Sequence, residues 1–506
     1  MLHASLTVDP AFRVADVQPR TFGSFVEHMG RCVYTGIYEP GHPYADEDGL
    51  RRDVLDLVRE LGVTSVRYPG GNFVSGFRWE DSVGPAAERP TRLDLAWHST
   101  ETNAFGLHEF HRWAEKAGVE PMMAVNLGTR GVAEALDLLE YCNHPGGTAW
   151  SDQRIKNGAP DPFGIRMWCL GNEMDGPWQT GHKTAAEYGR LAAETARAMR
   201  MVDPGLELVA CGSSSSSMPT FGAWEATVLE EAYDQVDYIS CHAYYEELDG
   251  DIGSFLASGV DMDHFVESVV ATADHVRAKL GRKKRINLSF DEWNVWYNTR
   301  FEAQGKPADW AVAPRVIEDQ YNVADAVVVG GLLISLLRHS DRVTAACLAQ
   351  LVNVIAPIRS EPGGPSWRQT TFHPFAQAAR HARGTVLRVE PVAPTYETKR
   401  FGGVSVVDAV ATHLAEADGA DELTVFAVNR HQSEDVELAL DLRAFPGYAP
   451  VEHSVLSDPD TRAVNTQADP DRVRPYAAET GLVTDGLFAA TLPPVSWNVI
   501  RLRRAG

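Results

Sequence analysis

The sequence predicts an α/β fold: a (β/α)8 TIM barrel carrying a C-terminal all-β sandwich of jelly-roll type. Three observations point there. Up to about residue 375, strand-like apolar runs alternate with segments whose apolar residues recur at helical spacing, the pattern of a parallel sheet wrapped by helices. Two of those runs, Ile165–Glu173 and Ile286–Trp293, stop at a carboxylate followed by polar and turn-forming residues, as barrel strands do at the mouth. Beyond that point the texture changes to short alternating runs separated by Gly, Pro and Asp, which reads as a sandwich.

Eight strands are expected, at Thr21–His28, Val63–Pro69, Glu120–Leu127, Ile165–Glu173, Glu207–Ser213, Val236–Tyr245, Ile286–Asn294 and Val343–Asn353. Between them fall amphipathic helices such as Leu50–Leu61, Leu107–Ala117, Ala185–Met201 and His264–Leu280. Ala324–Leu337 is apolar nearly all round and too short to cross a membrane, so it reads as a buried helix. The barrel is assigned to 16–375, and the sandwich to 376–506 plus 1–15, with Ala4–Val8 lending it a strand. Ser213–Ser217 is expected to be a flexible loop at the mouth.

A formal charge of −23 argues against nucleic-acid and anionic-membrane partners and suits a neutral substrate. The N-terminus has neither a basic stretch nor an apolar core, so no signal peptide is expected. Six scattered cysteines read as buried thiols in a reducing cytoplasm.

The chemistry lies at the strand ends. Glu27, Asn72, Asn126, Asn172, Glu173, His242, Tyr244, Glu292, Gln350 and Asn353 all fall at or just beyond one. A sugar needs such a rim, because each hydroxyl must exchange its water contacts for protein ones. Two carboxylates facing one pocket are the minimum equipment for cleaving a glycosidic bond. His108 and His111 lack the His-Glu-x-x-His spacing of a metal site and are assigned to a packing face of their helix. Asp291 is expected to point away from Glu292, since neighbours in a strand alternate faces. Arg67 is read as a fixed charge under the pocket. No phosphate loop or dinucleotide fingerprint is present, and neither metal nor cofactor is expected.

An ordered set of motifs carries a specific resemblance: Phe22–His28, Arg67–Asp81, Leu95–Trp97, Trp168–Glu173, Cys211–Pro219, His242–Tyr245, Asp291–Tyr297 and Ala349–Ile358. Together they resemble glycoside hydrolase family 51, the α-L-arabinofuranosidases of the retaining clan A. The resemblance implies Glu173 as acid/base and Glu292 as nucleophile, with Asn172 on the 2-hydroxyl and Tyr244 holding the nucleophile. It implies Glu27, Asn72 and Gln350 as ligands of the arabinose hydroxyls, and Trp97 and Trp296 as apolar walls. It further implies an exo-acting retaining enzyme working on arabinose-containing oligosaccharides, and a homo-oligomer, a hexamer in many members. A β-xylosidase or endo-β-glucanase of the same architecture is the alternative. A sugar-binding protein without catalysis is a third reading, which the presence of both glutamates with Asn172 and Tyr244 disfavours.

Overall fold

The computed structural model describes residues 1–415 and 421–504. Eight parallel strands close a barrel in sequential order: β1 (Gly23–Phe25), β2 (Ser65–Tyr68), β3 (Glu120–Val125), β4 (Met167–Leu170), β5 (Glu207–Ala210), β6 (Tyr238–Tyr245), β7 (Asn287–Val295) and β8 (Val343–Leu348). All eight expected strands are present. Most stop short of the expected end, because residues such as Glu173 lie in the turn beyond the last ladder bond. Phe25, Met122, Met167, Cys169, Val209, Ala345 and Cys347 fill the barrel interior. All six cysteines are buried free thiols.

The helices form the outer layer. Arg52–Leu61 buries Val54, Leu55, Leu57, Val58 and Leu61 on one face and ends at Gly62, whose φ of +80° lets its N–H close on Val58 and Arg59. His108 and His111 lie on the helix Leu107–Ala117, where His108 Nε2 bonds the Tyr141 hydroxyl at 2.6 Å and both rings pack against Phe163. That is a packing face.

The helix Val323–Arg338 buries every residue from Val323 to Leu337. Asn322 and Asp325 start it by capping each other's backbone N–H groups. Its burial is complete because the barrel lies on one side and a second sheet on the other, with Phe426, Val428, Trp497 and Val499 joining the barrel core. The approach is close: a Cβ on Gly330 would lie 2.4 Å from the Trp497 ring.

That second sheet has seven strands, including Arg13–Asp16, Thr385–Leu387, Val407–Leu414, Glu422–Asn429 and Ser496–Arg504. A three-stranded sheet of Leu2–Thr7, Val436–Asp441 and Leu487–Leu492 packs on its other face through Leu6, Val425, Leu438, Leu440, Ile500 and Leu502. The N-terminal strand pairs in parallel with Val436–Asp441. The division expected at 375 would cut the helix Phe372–His381, whose Phe372 and Phe375 are buried in the barrel core. We propose the junction just after His381, and after Asp16 at the N-terminal end. Among the described residues, no helix is long and apolar enough to cross a membrane.

Candidate active site

Strand β7 carries a local bulge between Ser289 and Trp293. Between Ser289 and Glu292 it advances three positions while β6 advances two, from Ser240 to His242. Against β8 it advances from Phe290 to Trp293 while its partner moves only from Ala346 to Leu348. This bulge breaks the alternation of faces at one point. Asp291 and Glu292 consequently both turn inward. The expectation that Asp291 points away was wrong: it is buried, 2.9 Å from His242 Nε2 and 3.8 Å from the Cys169 thiol.

Glu292 is held by two donors. Arg67 Nη1 donates to Oε1 at 2.7 Å and the Tyr244 hydroxyl donates to Oε2 at 2.7 Å. Arg67 also reaches Asn172 Oδ1 at 2.6 Å, so one guanidinium fork from β2 fixes residues beyond β4 and on β7. Burial, then the neighbouring carboxylates of Glu292 and Glu173, raise the Tyr244 phenol well above its usual range, which keeps it a donor.

Glu173 sits just past β4 with a left-handed φ of +43°. Its Oε1 lies 2.9 Å from His242 Nδ1, and its Oε2 accepts from Trp178 Nε1 at 2.7 Å. Burial works against charge on His242, but Glu292, Asp291 and Glu173 outweigh it and push the imidazole up to about 10. His242 therefore donates from both ring nitrogens. One oxygen each of Glu173 and Glu292, together with a His242 nitrogen, lie within 4.8 Å of one another.

Glu27 adds a fourth buried carboxyl beside Glu173, Asp291 and Glu292. Phe73 N–H and Trp97 Nε1 both donate to Oε1 at 2.9 Å, and Gln350 Nε2 approaches Oε2 at 3.2 Å. Trp97 is thus a hydrogen-bond donor in addition to a wall. It is presented by a hairpin, Arg92–Asp94 and Ser99–Glu101, whose turn is tied by Asp94 accepting from the N–H groups of Ala96 and Trp97. Glu101 anchors the hairpin's far strand to His28 Nδ1 at 2.9 Å. Gly70 and Gly71 let the chain pass between Glu27 and Glu292: a Cβ on Gly70 would meet Glu27 Cγ at 2.3 Å, and one on Gly71 would meet Glu292 Oε1 at 3.0 Å. Asn72, just beyond, accepts from Asn172 Nδ2 at 3.3 Å.

The sequence-derived residues Glu27, Asn72, Asn172, Glu173, Tyr244, Glu292, Gln350 and Trp97 converge through these bonds, and Trp296 stands edge-on to Tyr244 at 5.1 Å. Asn126 and Asn353 do not join them. Asn126 ties its own turn through Gly128, Thr129 and Phe77, and Asn353 binds Arg31 and Ser360. Ser213 and Ser214 are buried, their N–H groups held by Glu225 and Asp175, so the serine run is pinned where it leaves β5. The sequence placed His242 on the rim but did not link it to Glu173 and Asp291, and it gave no role to Trp178. The signal for His242 was present, since it shares a strand face with Tyr244 two residues on. Nothing in the sequence marks Trp178, whose ring is half-exposed across the mouth.

A closed parallel barrel with two close buried carboxylates, one just past β4 and one on β7, defines a glycoside hydrolase of the two-carboxylate class. Comparison with known proteins narrows that class. Residues 57–252 match the model of the α-L-arabinofuranosidase 1 domain, and residues 291–496 that of the α-L-arabinofuranosidase C-terminal domain. An intracellular exo-α-(1→5)-L-arabinofuranosidase of Streptomyces lividans is 64% identical, over 99% of this chain and 75% of its own. An exo-α-(1→6)-L-arabinofuranosidase of Bifidobacterium longum is 56% identical, over 98% and 97%. The solved structure of a family 51 α-L-arabinofuranosidase from Bifidobacterium longum superposes with a TM-score of 0.95 at 50% identity, over 99% of this chain and 100% of that one. The chain belongs to the α-L-arabinofuranosidases of glycoside hydrolase family 51.

Proposed function

We infer that this chain is a retaining, exo-acting α-L-arabinofuranosidase that releases terminal arabinofuranosyl groups from arabino-oligosaccharides. The observation that carries the mechanism is that one oxygen of Glu173 and one of Glu292 lie within 4.8 Å of each other, which leaves the carboxyl groups too close for an inverting pair. An inverting pair needs roughly 6.5–9.5 Å to admit a water between the carboxyls, whereas a retaining pair sits about 5–5.5 Å apart.

In the first step Glu292 attacks the anomeric carbon as the glycosidic C–O bond breaks, and Glu173 gives its proton to the departing oxygen. In the second, Glu173 takes a proton from water, whose oxygen displaces Glu292 and regenerates the free carboxylate. Arg67 and His242 supply two positive charges against the three carboxyls of Glu173, Asp291 and Glu292. The cluster is neutral when one carboxyl holds a proton, and the reaction needs that proton on Glu173. Glu27, Asn72, Asn172 and Gln350 would hold the arabinose hydroxyls, with Trp97 and Trp296 closing the pocket.

The intracellular names of relatives support a cytoplasmic setting. A homo-oligomer, as the family resemblance implies, is also proposed; light scattering would read its mass against that of one chain.

The test is hydrolysis of an aryl α-L-arabinofuranoside beside the β-D-xylopyranoside and β-D-glucopyranoside, with Glu292→Ala as control. Preference for the arabinofuranoside, lost in the variant, is expected, with the first-formed anomer by NMR retaining configuration. Preference for the xyloside or glucoside would transfer the enzyme to the alternative reading.

A further inference from the structure

Asp291 is the one acid of the cluster with no part in either step of the reaction. It is 1% exposed and lies 3.8 Å from the Cys169 thiol, which belongs to the barrel interior. His242 stands between it and Glu173, so it meets no substrate. A buried carboxylate beside the nucleophile is costly unless it is paired, and the β7 bulge turns it inward all the same.

Its partners divide by oxygen. Oδ2 accepts from Ser289 Oγ at 3.2 Å and faces the Cys169 thiol, whereas Oδ1 meets His242 Nε2 at 2.9 Å. The other nitrogen of that ring, Nδ1, is 2.9 Å from Glu173 Oε1. Asp291, His242 and Glu173 thus stand in line, with the imidazole as the link.

The line fixes where the proton of Glu173 can be. Oε1 faces the buried ring, and Oε2 faces the half-exposed Trp178 at the mouth, the side from which a glycosidic oxygen arrives. If Nδ1 carries a hydrogen it donates to Oε1, and the proton of Glu173 must sit on Oε2. If Nδ1 is bare, that proton turns to it and is lost to the substrate. With Glu292 and Glu173, Asp291 supplies the negative charge that keeps the ring cationic against burial. It also balances the charge of the ring, which would otherwise draw the proton off Glu173.

The other groups around the line do not substitute. Burial pushes the thiols of Cys169, Cys211, Cys241 and Cys347 up, so they stay neutral. Arg67 is committed to Glu292 and Asn172, and Tyr244 stays a phenol. Asp175, which burial pushes up to about 6, is turned to the N–H and hydroxyl of Ser214.

We propose that Asp291 is a positioning residue that acts through His242, holding a hydrogen on both ring nitrogens so that Glu173 keeps its proton on Oε2, toward the leaving group. The proposal rests on the retaining reading above and adds to it a carboxylate that the sugar never meets.

Asp291→Asn removes the charge and keeps the shape and an acceptor for Nε2. The measurement is kcat/KM, which reads the first step, on phenyl and 4-nitrophenyl α-L-arabinofuranosides across pH. 4-Nitrophenoxide departs with little help, whereas phenoxide needs the proton. At the wild-type optimum the variant should lose at least about tenfold more on the phenyl glycoside, inside the roughly 10²–10⁴ that general acid catalysis contributes. The alkaline limb should move down by about one pH unit or more, because an anion has gone that held protons in the cluster. His242→Gln breaks the line at its middle and should show the same preferential loss, and adding Asp291→Asn to it should cost little more. It carries the test if Asp291→Asn alone does not fold. A merely structural loss would fall equally on the two glycosides. Equal losses, an unmoved limb or additive losses would each overturn the proposal. Wild-type turnover separates the failures: where wild type cleaves both glycosides, such results overturn the role of Asp291 alone, and a wild type that cleaves neither overturns the functional reading with it.

Discussion

Glu27 shows how far a neighbourhood can move one group. Burial pushes its carboxyl up to about 8, against the donors Phe73 N–H and Trp97 Nε1 and with the help of Glu292. Its folded value lies above the 4.5 of an unperturbed glutamate. The stability this contributes is complete below the unfolded value and is lost as pH rises through the folded one. Urea unfolding from about pH 5 to about pH 9 should therefore lose stability more steeply in wild type than in Glu27→Gln, by about 1.4 kcal/mol for each unit between the two values. Identical slopes would mean that another group titrates. At this scale most of the site was legible, because strand-end carboxylates and amides announce themselves by position. Asp291 was not, since its direction depends on the register of two neighbouring strands, and Trp178 was not, since nothing local ties it to Glu173.

The elements were legible where burial is two-sided. Strands covered on both faces read as unbroken apolar runs, which is why all eight barrel strands could be placed from sequence. The short hairpin at Arg92–Glu101, polar and half-solvated, gave no such signal, yet it carries Trp97 to Glu27. The helix Val323–Arg338 gave the strongest one, and its two central glycines allow a test of opposite signs. Gly330→Ala would place a Cβ 2.4 Å from the Trp497 ring and should destabilise by about 1–3 kcal/mol as overpacking. Gly331→Ala meets nothing within 4 Å and should instead be neutral or stabilise by up to about 1 kcal/mol through helix propensity. Thermal unfolding of the pair reads the difference. Equal midpoints would remove the close approach of helix and sheet.

For the whole molecule, the change of texture near residue 375 revealed that a second unit exists but not where it docks. Docking is settled by a surface that a sequence reads only as too apolar for a solvent-facing helix. A chain ending at His381 would uncover that surface on Val323–Arg338 and should collect in the insoluble fraction on expression; a soluble, monomeric truncation would show that the barrel stands without its cover. The same helix sets an order in time. Trp497, which closes over Gly330, is made 159 residues after Arg338. At roughly 5–20 residues per second, the ribosome holds that finished helix with one bare apolar flank for on the order of ten to thirty seconds. Birth, for this chain, includes a period in which that apolar face has no cover from its own fold.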